Sequence, residues 1–154
     1  STGKSIRICN VICEHTRRYL DFYAATSIKA EDVVELLDHI INQEGVVPNA
    51  IRTDNGPELR SRVLKEWAAE RGVEILYCPP GKPWHNGFIE SFHNRVRMEC
   101  LNTYAFDNLE ECIYTLENWQ HQYNNQHPHS ALNWMTPNQF QATCGQQGKH
   151  KLVS

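Results

Sequence analysis

Apolar positions in the first half of the chain alternate between two periods. Residues 6–12 are apolar enough for a sheet strand, Glu14-His15-Thr16-Arg17 is a polar turn, and residues 19–24 return to strand character, which predicts a β-hairpin. Over Ala30–Glu44 the period lengthens: Val33, Leu36, Leu37, Ile40 and Ile41 recur at helical spacing. Glu31 and Asp32 stand in the first turn, where the helix dipole favours negative charge, and Gly45 marks the end. Ala50–Thr53 reads as a short strand stopped by Asn55-Gly56-Pro57. Ser61 is suited to cap a helix reaching about Arg71, with Leu64, Trp67 and Ala68 inward and Gly72 as its stop. Residues 73–77 form the next strand, and the three prolines of 78–83 remove ladder donors, so a loop is expected there.

The second half is helical. Over residues 86–101, at about 100° per residue, Ile89, Phe92, Val96 and Cys100 form one stripe, and Glu90, Asn94, Arg97 and Leu101 a neighbouring one. Asp107 is expected to cap the next helix, with Glu110 three residues on in capping-box spacing. Cys112, Ile113, Leu116, Trp119 and Tyr123 give that helix a broad apolar face. A last short helix after Thr136-Pro137 would bury Phe140, and residues 145–154 read as a polar, frayed tail. Strand, strand, helix, strand, helix, strand, then helices is an α/β order, with one domain over residues 1–144 and four recognisable sheet strands.

Composition narrows the class. A chain of 154 residues with 40% hydrophobic content and four Trp is long enough for one packed domain. No apolar run approaches the roughly 20 residues that span a bilayer, and no signal-peptide pattern opens the chain, so a soluble cytoplasmic protein without a membrane partner is expected. The six cysteines contain no Cys-x-x-Cys pair, which favours buried thiols over a disulfide framework or zinc site. His127-Pro128-His129, lacking a matched second pair, is read as packing a turn.

The candidate chemistry lies in two carboxylates. Asp54 falls at the C-terminal end of the Ala50–Thr53 strand, where open α/β sheets place their sites, and Glu90 opens a helix with 35 residues between the two. Four segments keep company with them: Ile51-Arg52-Thr53-Asp54-Asn55-Gly56-Pro57-Glu58; Pro80-Gly81-Lys82-Pro83 with Asn86-Gly87 and Ile89-Glu90-Ser91; Tyr123-Asn124 with Pro128-His129-Ser130-Ala131-Leu132; and Thr136-Pro137 with Phe140. In order and spacing they resemble the catalytic core of integrase-type DDE transposases of bacterial insertion sequences, relatives of retroviral integrases. The resemblance implies a ribonuclease-H-like mixed sheet flanked by helices and a polynucleotidyl transferase that cleaves and transfers DNA strands. It also implies Asp54 and Glu90 as catalytic metal ligands for Mg²⁺ or Mn²⁺, two ions in the complete site.

The same resemblance associates a basic residue two turns after the catalytic Glu with DNA contact, which falls on Arg97; Lys82, Arg95, Asn86, His85 and Asn55 are further candidates for nucleic-acid binding. Glu58 is placed near the same pocket without a ligand role. The implied partners are transposon-end and target DNA and further copies of the chain. A net charge of −3 is unusual for holding DNA by phosphate contacts, so a DNA-binding region upstream in the same protein is expected to do most of the reading.

Two features depart from the family pattern. The first, central strand with its catalytic Asp would lie upstream of Ser1, so the chain alone is expected to be inactive; Asp21, the first Asp of the chain, registers with a different strand. Cys13 stands where Asp is common at the end of the second strand. A ribonuclease-H-like nuclease and a non-catalytic DNA-binding or assembly remnant of a transposase are the competing readings. The Tyr-Asn, Pro-His-Ser-Ala-Leu and Thr-Pro segments favour the transposase over a generic nuclease.

Overall fold

Alternation along the first strand sorts the core into two halves. The computed structural model describes residues 6–53, 57–77, 88–101, 108–144 and 151–153, without the side chains of 88–90, 100, 101, 144 and 151–153. Strand β1 (Arg7–Cys13) sends Cys9, Val11 and Cys13 into one half and Ile8 and Ile12 into the other, as a period of two requires. Strand β2 (Tyr19–Ala25) pairs with it antiparallel. Val11 faces Asp21 but Ile12 faces Tyr19, so Leu20 is the extra residue of a bulge. That extra residue inverts the phase of β2: Tyr19 joins Phe22 and Ala24 in one half, while Leu20 and Tyr23 pack with the other.

The first half of the core lies beneath α1 (Ala30–Glu44) and α2 (Arg62–Arg71). Val33, Leu36, Leu37 and Ile40 of α1 meet Leu64, Trp67 and Ala68 of α2 over Cys9, Val11 and Ile51. Both helices stop where expected, at Gly45 (φ 72°) and Gly72 (φ 69°), left-handed positions that a side chain would strain. Ser61 caps α2, its Oγ accepting from the Leu64 amide at 3.2 Å. Strand β3 (Ala50–Thr53) runs parallel to β4 (Glu74–Tyr77).

The sheet has five strands in the order β2-β1-β5-β3-β4, which corrects the count of four. The central one, β5 (Lys151–Val153), comes from the stretch expected to be a frayed tail. It runs antiparallel to β1 and parallel to β3, with Leu152 opposite both Cys13 and Ile51. Unpaired backbone groups along β1 and β3 supply the reason, since a strand between them satisfies ladders on both sides at once.

The second half of the core lies under α3 (Phe88–Val96) and α4 (Leu109–Gln126). Asn108 caps α4, accepting from the Glu111 amide at 2.8 Å, one residue later than the expected Asp107, which lies outside the described residues. Past Val96 the α-helix gives way to a π turn, Arg97–Leu101, so the spacing that placed Cys100 and Leu101 on continuing stripes ends there. Helix α5 (Pro137–Cys144) leaves Phe140 half-buried rather than buried, its ring 5.3 Å from that of His15.

Tyr19 is the hub of this half. Its ring is edge-on to Phe92 at 4.9 Å and to Trp119 at 5.9 Å, and its hydroxyl donates to Asn10 Oδ1. Asn124 of α4 grips the Tyr19 backbone at two points: Oδ1 accepts from its amide at 2.8 Å and Nδ2 donates to its carbonyl at 2.9 Å. One turn earlier, Gln120 Nε2 donates to the Tyr19 and Leu20 carbonyls at 2.8 and 3.0 Å. The Tyr-Asn pair is thus a helix-to-strand clamp. Asn124→Ala should destabilise the chain by about 1–3 kcal/mol, the cost of leaving part-buried backbone groups unpaired. Asn124→Asp, which keeps the acceptor and loses the donor, should fall between the two in urea denaturation at pH 7; equal stability of all three would refute the clamp.

Candidate active site

The parallel pair β3 and β4 ends at Thr53 and Tyr77, which sit side by side. Because β1 runs against β5 and β5 runs with β3, the N-terminal end of β1 lies at this same edge. Thr53 is fully buried, and among the described residues its Oγ1 has no hydrogen-bond partner. Asp54 and Asn55, which follow it, lie outside the described residues, as do Lys82, His85 and Asn86. Glu90 is placed by its backbone in the first turn of α3. The ligand pair expected from sequence therefore has its two supporting elements in place and no measured distance.

The other carboxylates have partners of their own, Glu58 at this edge and Asp21 away from it. Glu58, on the turn Pro57–Leu59, is 3.7 Å from the Arg7 guanidinium at the start of β1. Asp21 projects from the middle of β2 toward α1, its Oδ2 3.6 Å from His39 Nε2, which removes it from the strand-end site. Cys13 closes the β1–β2 turn instead of carrying chemistry: its Sγ accepts from the Thr16 amide at 3.5 Å, a role an Asp side chain fills in such turns. Cys9, Cys13 and Cys112 are buried thiols, in agreement with the absence of a disulfide pattern.

Beyond Glu90, α3 presents two basic residues in different settings. Arg97 opens the π turn and is exposed, seven positions after Glu90 and so two turns along the same helix. Arg95 turns toward α4: Nε donates to Glu99 Oε2 at 3.0 Å, Nη2 approaches His127 Nδ1 at 3.1 Å, and the guanidinium lies 6.0 Å from the Tyr123 ring. A cavity of about 220 Å³ opens here, lined by Arg17, Ser91, Arg95, Tyr123, His129 and Ser130 among others. Sequence reasoning missed Arg17 and Tyr123 as lining residues and read His127 and His129 only as turn packing. Nothing in the linear pattern brings the β1–β2 turn to α4.

Burial sets the ionisation of this cluster. The Tyr123 hydroxyl is pushed up to about 12 by burial, with Arg95 and Arg17 opposing. The His129 imidazole is pushed down to about 4 by burial, then by Arg95, His127 and Arg17. His127 is lowered too, first by burial and then by Arg95. An arginine only donates, so the Arg95 contact makes His127 Nδ1 an acceptor and its ring neutral. Folded His129 holds its proton less tightly than the unfolded side chain, so its share of stability is present above the ordinary histidine value of 6.5 and is lost as pH falls from there toward 4. His129→Asn should flatten the urea midpoint across pH 6.5 to 4 relative to the parent chain; parallel profiles would show that His129 is not buried neutral.

The comparisons with known proteins agree with this architecture. Two profiles, both described as integrase core domain, match residues 1–83 and 71–137. An uncharacterized 31.7 kDa protein of insertion element IS407 from Burkholderia multivorans is 37% identical over 142 residues, covering 92% of this chain and 51% of that protein. An uncharacterized 39.2 kDa protein of insertion element IS476 from Xanthomonas euvesicatoria is 35% identical over 153 residues, covering 99% of this chain and 44% of that protein. The chain thus spans about half the length of these curated relatives. Among solved structures, the HTLV-2 integrase catalytic core domain in complex with magnesium superposes with a TM-score of 0.64 at 18% identity, over 86% of this chain and 84% of that one. A chain of the simian T-cell lymphotropic virus intasome superposes with a TM-score of 0.74 at 15% identity, over 90% of this chain and 49% of that one. These likenesses make the fold ribonuclease-H-like. The chain belongs to the integrase core domain family, as a core of the integrase type carried by bacterial insertion elements.

Proposed function

We propose that this chain is the catalytic core of a bacterial insertion-element transposase that cleaves and joins DNA strands with divalent metal. The observation that carries the reading is that the parallel strand β3 ends one residue before Asp54 in sequence, with 35 residues between Asp54 and Glu90 in the first turn of α3. A carboxylate at the end of a parallel strand and another on a flanking helix form an all-oxygen donor set, which suits Mg²⁺ or Mn²⁺ better than zinc. The magnesium in the HTLV-2 integrase core supports the same choice. Asp54 and Glu90 with a further ligand would hold two such ions, which would supply an activated hydroxyl nucleophile and a stabilised leaving oxygen. The ion pair of Glu58 with Arg7 supports a place for it beside the ligand set, and the approach of Asp21 to His39 on the α1 side supports leaving it out.

The remaining assignments follow the DNA. Arg97, exposed seven positions beyond Glu90, neutralises a backbone phosphate, and Lys82, His85, Asn86 and Asn55, near Glu90 and Asp54 in sequence, supply further DNA contacts. Transposon ends and target DNA are the substrates, several copies of the chain assemble on them, and another region of the longer protein does most of the sequence reading. The intasome neighbour supports assembly on DNA as the mode of action. Among the described residues no helix is long and apolar enough to cross a membrane. The bacterial insertion-element relatives support action in the bacterial cytoplasm.

In the full-length protein, Asp54→Asn and Glu90→Gln should each lower metal-dependent nicking and joining by roughly two to four orders of magnitude, the scale of removing one catalytic group, without shifting the thermal melt. Wild-type joining by either variant would end the metal-ligand assignment. Arg97→Ala should weaken DNA binding and reduce the slope of log affinity against log salt by about 0.9, one phosphate contact's worth; an unchanged slope would return Arg97 to ordinary solvated charge.

A further inference from the structure

We propose that the cavity between α3, α4 and the β1–β2 turn is a seat for a DNA backbone phosphate, held by Arg17 and Arg95. The proposal rests on the DNA reading above and adds a second contact point to it, away from the sheet edge that carries Asp54. Two features of the cavity point to an anion. Its lining brings two guanidiniums together with the hydroxyls of Ser91, Tyr123 and Ser130, and among the described residues it includes no carboxylate. Two acids lie just outside the lining: Glu99 pairs with Arg95 Nε at 3.0 Å, and Glu14, whose Oε1 is 3.1 Å from Arg52 Nε, also acts electrostatically on Arg17. At about 220 Å³ the space is below the roughly 300–1,000 Å³ that encloses a drug-sized ligand, so it suits one phosphate group of a chain that continues outside.

The backbone gives an independent sign. Among the described residues, the non-glycine positions with left-handed φ are Arg17 (62°), Asn133 (54°) and Trp134 (65°). All three belong to the two turns that border the cavity, and strain of this kind collects at binding sites when the surroundings hold it in place. The surroundings are identifiable. Arg17's amide donates to the Cys13 carbonyl at 2.8 Å and its Nη1 to the Glu14 carbonyl at 2.6 Å, while Arg18 next to it is anchored the other way, to Asn138 and Glu44. The second turn is closed by the His129 and Trp134 amides donating to the Met135 and His129 carbonyls at 3.0 and 2.8 Å. Left at φ 62°, an arginine costs more than a glycine would, and what the arginine adds is a cation at the cavity wall. Ser91, the residue after Glu90, lies in the same wall. His129, edge-on to Tyr123 at 5.1 Å with Nε2 buried and unpartnered among the described residues, faces the same space and reports on it.

The test compares Arg17→Gly, Arg17→Lys and, as a control, Arg62→Gln, whose side chain is 89% exposed on α2. Each is made in the full-length protein and read by thermal melting, by anisotropy of a labelled DNA duplex across a salt series, and by the His129 ring resonances. Arg17→Gly should melt at or above the parent temperature, because glycine relieves the positive φ, yet bind DNA more weakly with a salt slope smaller by about 0.9. Arg17→Lys should keep the slope, and Arg62→Gln should change neither reading. Duplex DNA should move the His129 resonances in the parent protein and not in Arg17→Gly. If Arg17→Gly fails to fold, Arg95→Gln takes its place with the same expected slope. An unchanged slope, or an equal drop in Arg62→Gln, overturns the site. A His129 response to inorganic phosphate with none to DNA overturns DNA as the source of the phosphate. Loss of slope in Arg97→Ala without loss in Arg17→Gly leaves the DNA-binding reading standing and removes this site alone, whereas a parent protein that binds no DNA removes both.

Discussion

The grip of Asn124 on the Tyr19 backbone is the contact on which the second half of the molecule depends. Strand β2 is an edge strand, with β1 on one side and its other ladder groups open to competition from water. Asn124 satisfies the amide and the carbonyl of Tyr19 together, and Gln120 takes the Tyr19 and Leu20 carbonyls, so α4 completes the strand's hydrogen bonding where a neighbouring strand would. Once the backbone is held, the Tyr19 ring has one place to go, between Phe92, Trp119 and Tyr123. Edge-to-face rings at these separations contribute about 0.5–1.5 kcal/mol each beyond burial, and they orient α3 through Phe92. Orientation of α3 in turn sets where Glu90, Ser91, Arg95 and Arg97 stand relative to the sheet.

The bulge at Leu20 makes this possible. Without the extra residue, Tyr19 would fall in phase with Tyr23 and Asp21 and point to the α1 side. One inserted residue therefore assigns the aromatic hub to α3 and α4 while leaving Asp21 facing His39. The same hairpin closes through Thr16 to Arg18, and its two arginines part company there: Arg17 to the cavity, Arg18 to α1 and α5. Fold and charge placement thus share one short turn.

The two proposed sites rest on different supports. The strand-end site depends on β3, whose parallel pairing with β5 and β4 aims its C-terminus at one edge. The basic cavity depends on α3, α4 and the turns beside them. A chain with net charge −3 has little general attraction for DNA, so local clusters of arginine matter more for it than for a basic protein.

Much of this was legible in the chain itself. Periodicity located β1, β2, α1, α2, β3 and β4 because each carries its own local signal: alternation, a 3.6-residue stripe, a Ser61 cap, glycines at φ 72° and 69°. The spacing of Asp54 and Glu90 and the segments around Tyr123-Asn124 and Thr136-Pro137 were enough to name the family, since ligand chemistry and turn chemistry are written in residue types at fixed distances. What only the tertiary structure decided is what depends on partners far apart in sequence. Lys151–Val153 has no pattern of its own and becomes a central strand because β1 and β3 leave ladders open on both sides. Tyr123-Asn124 reads as a motif in sequence but becomes a clamp only when β2 arrives more than 100 residues away from it. Arg17 looked like turn polarity until folding set it beside Arg95. Local free-energy terms leave a trace in short windows of sequence, and long-range ones leave theirs only in space.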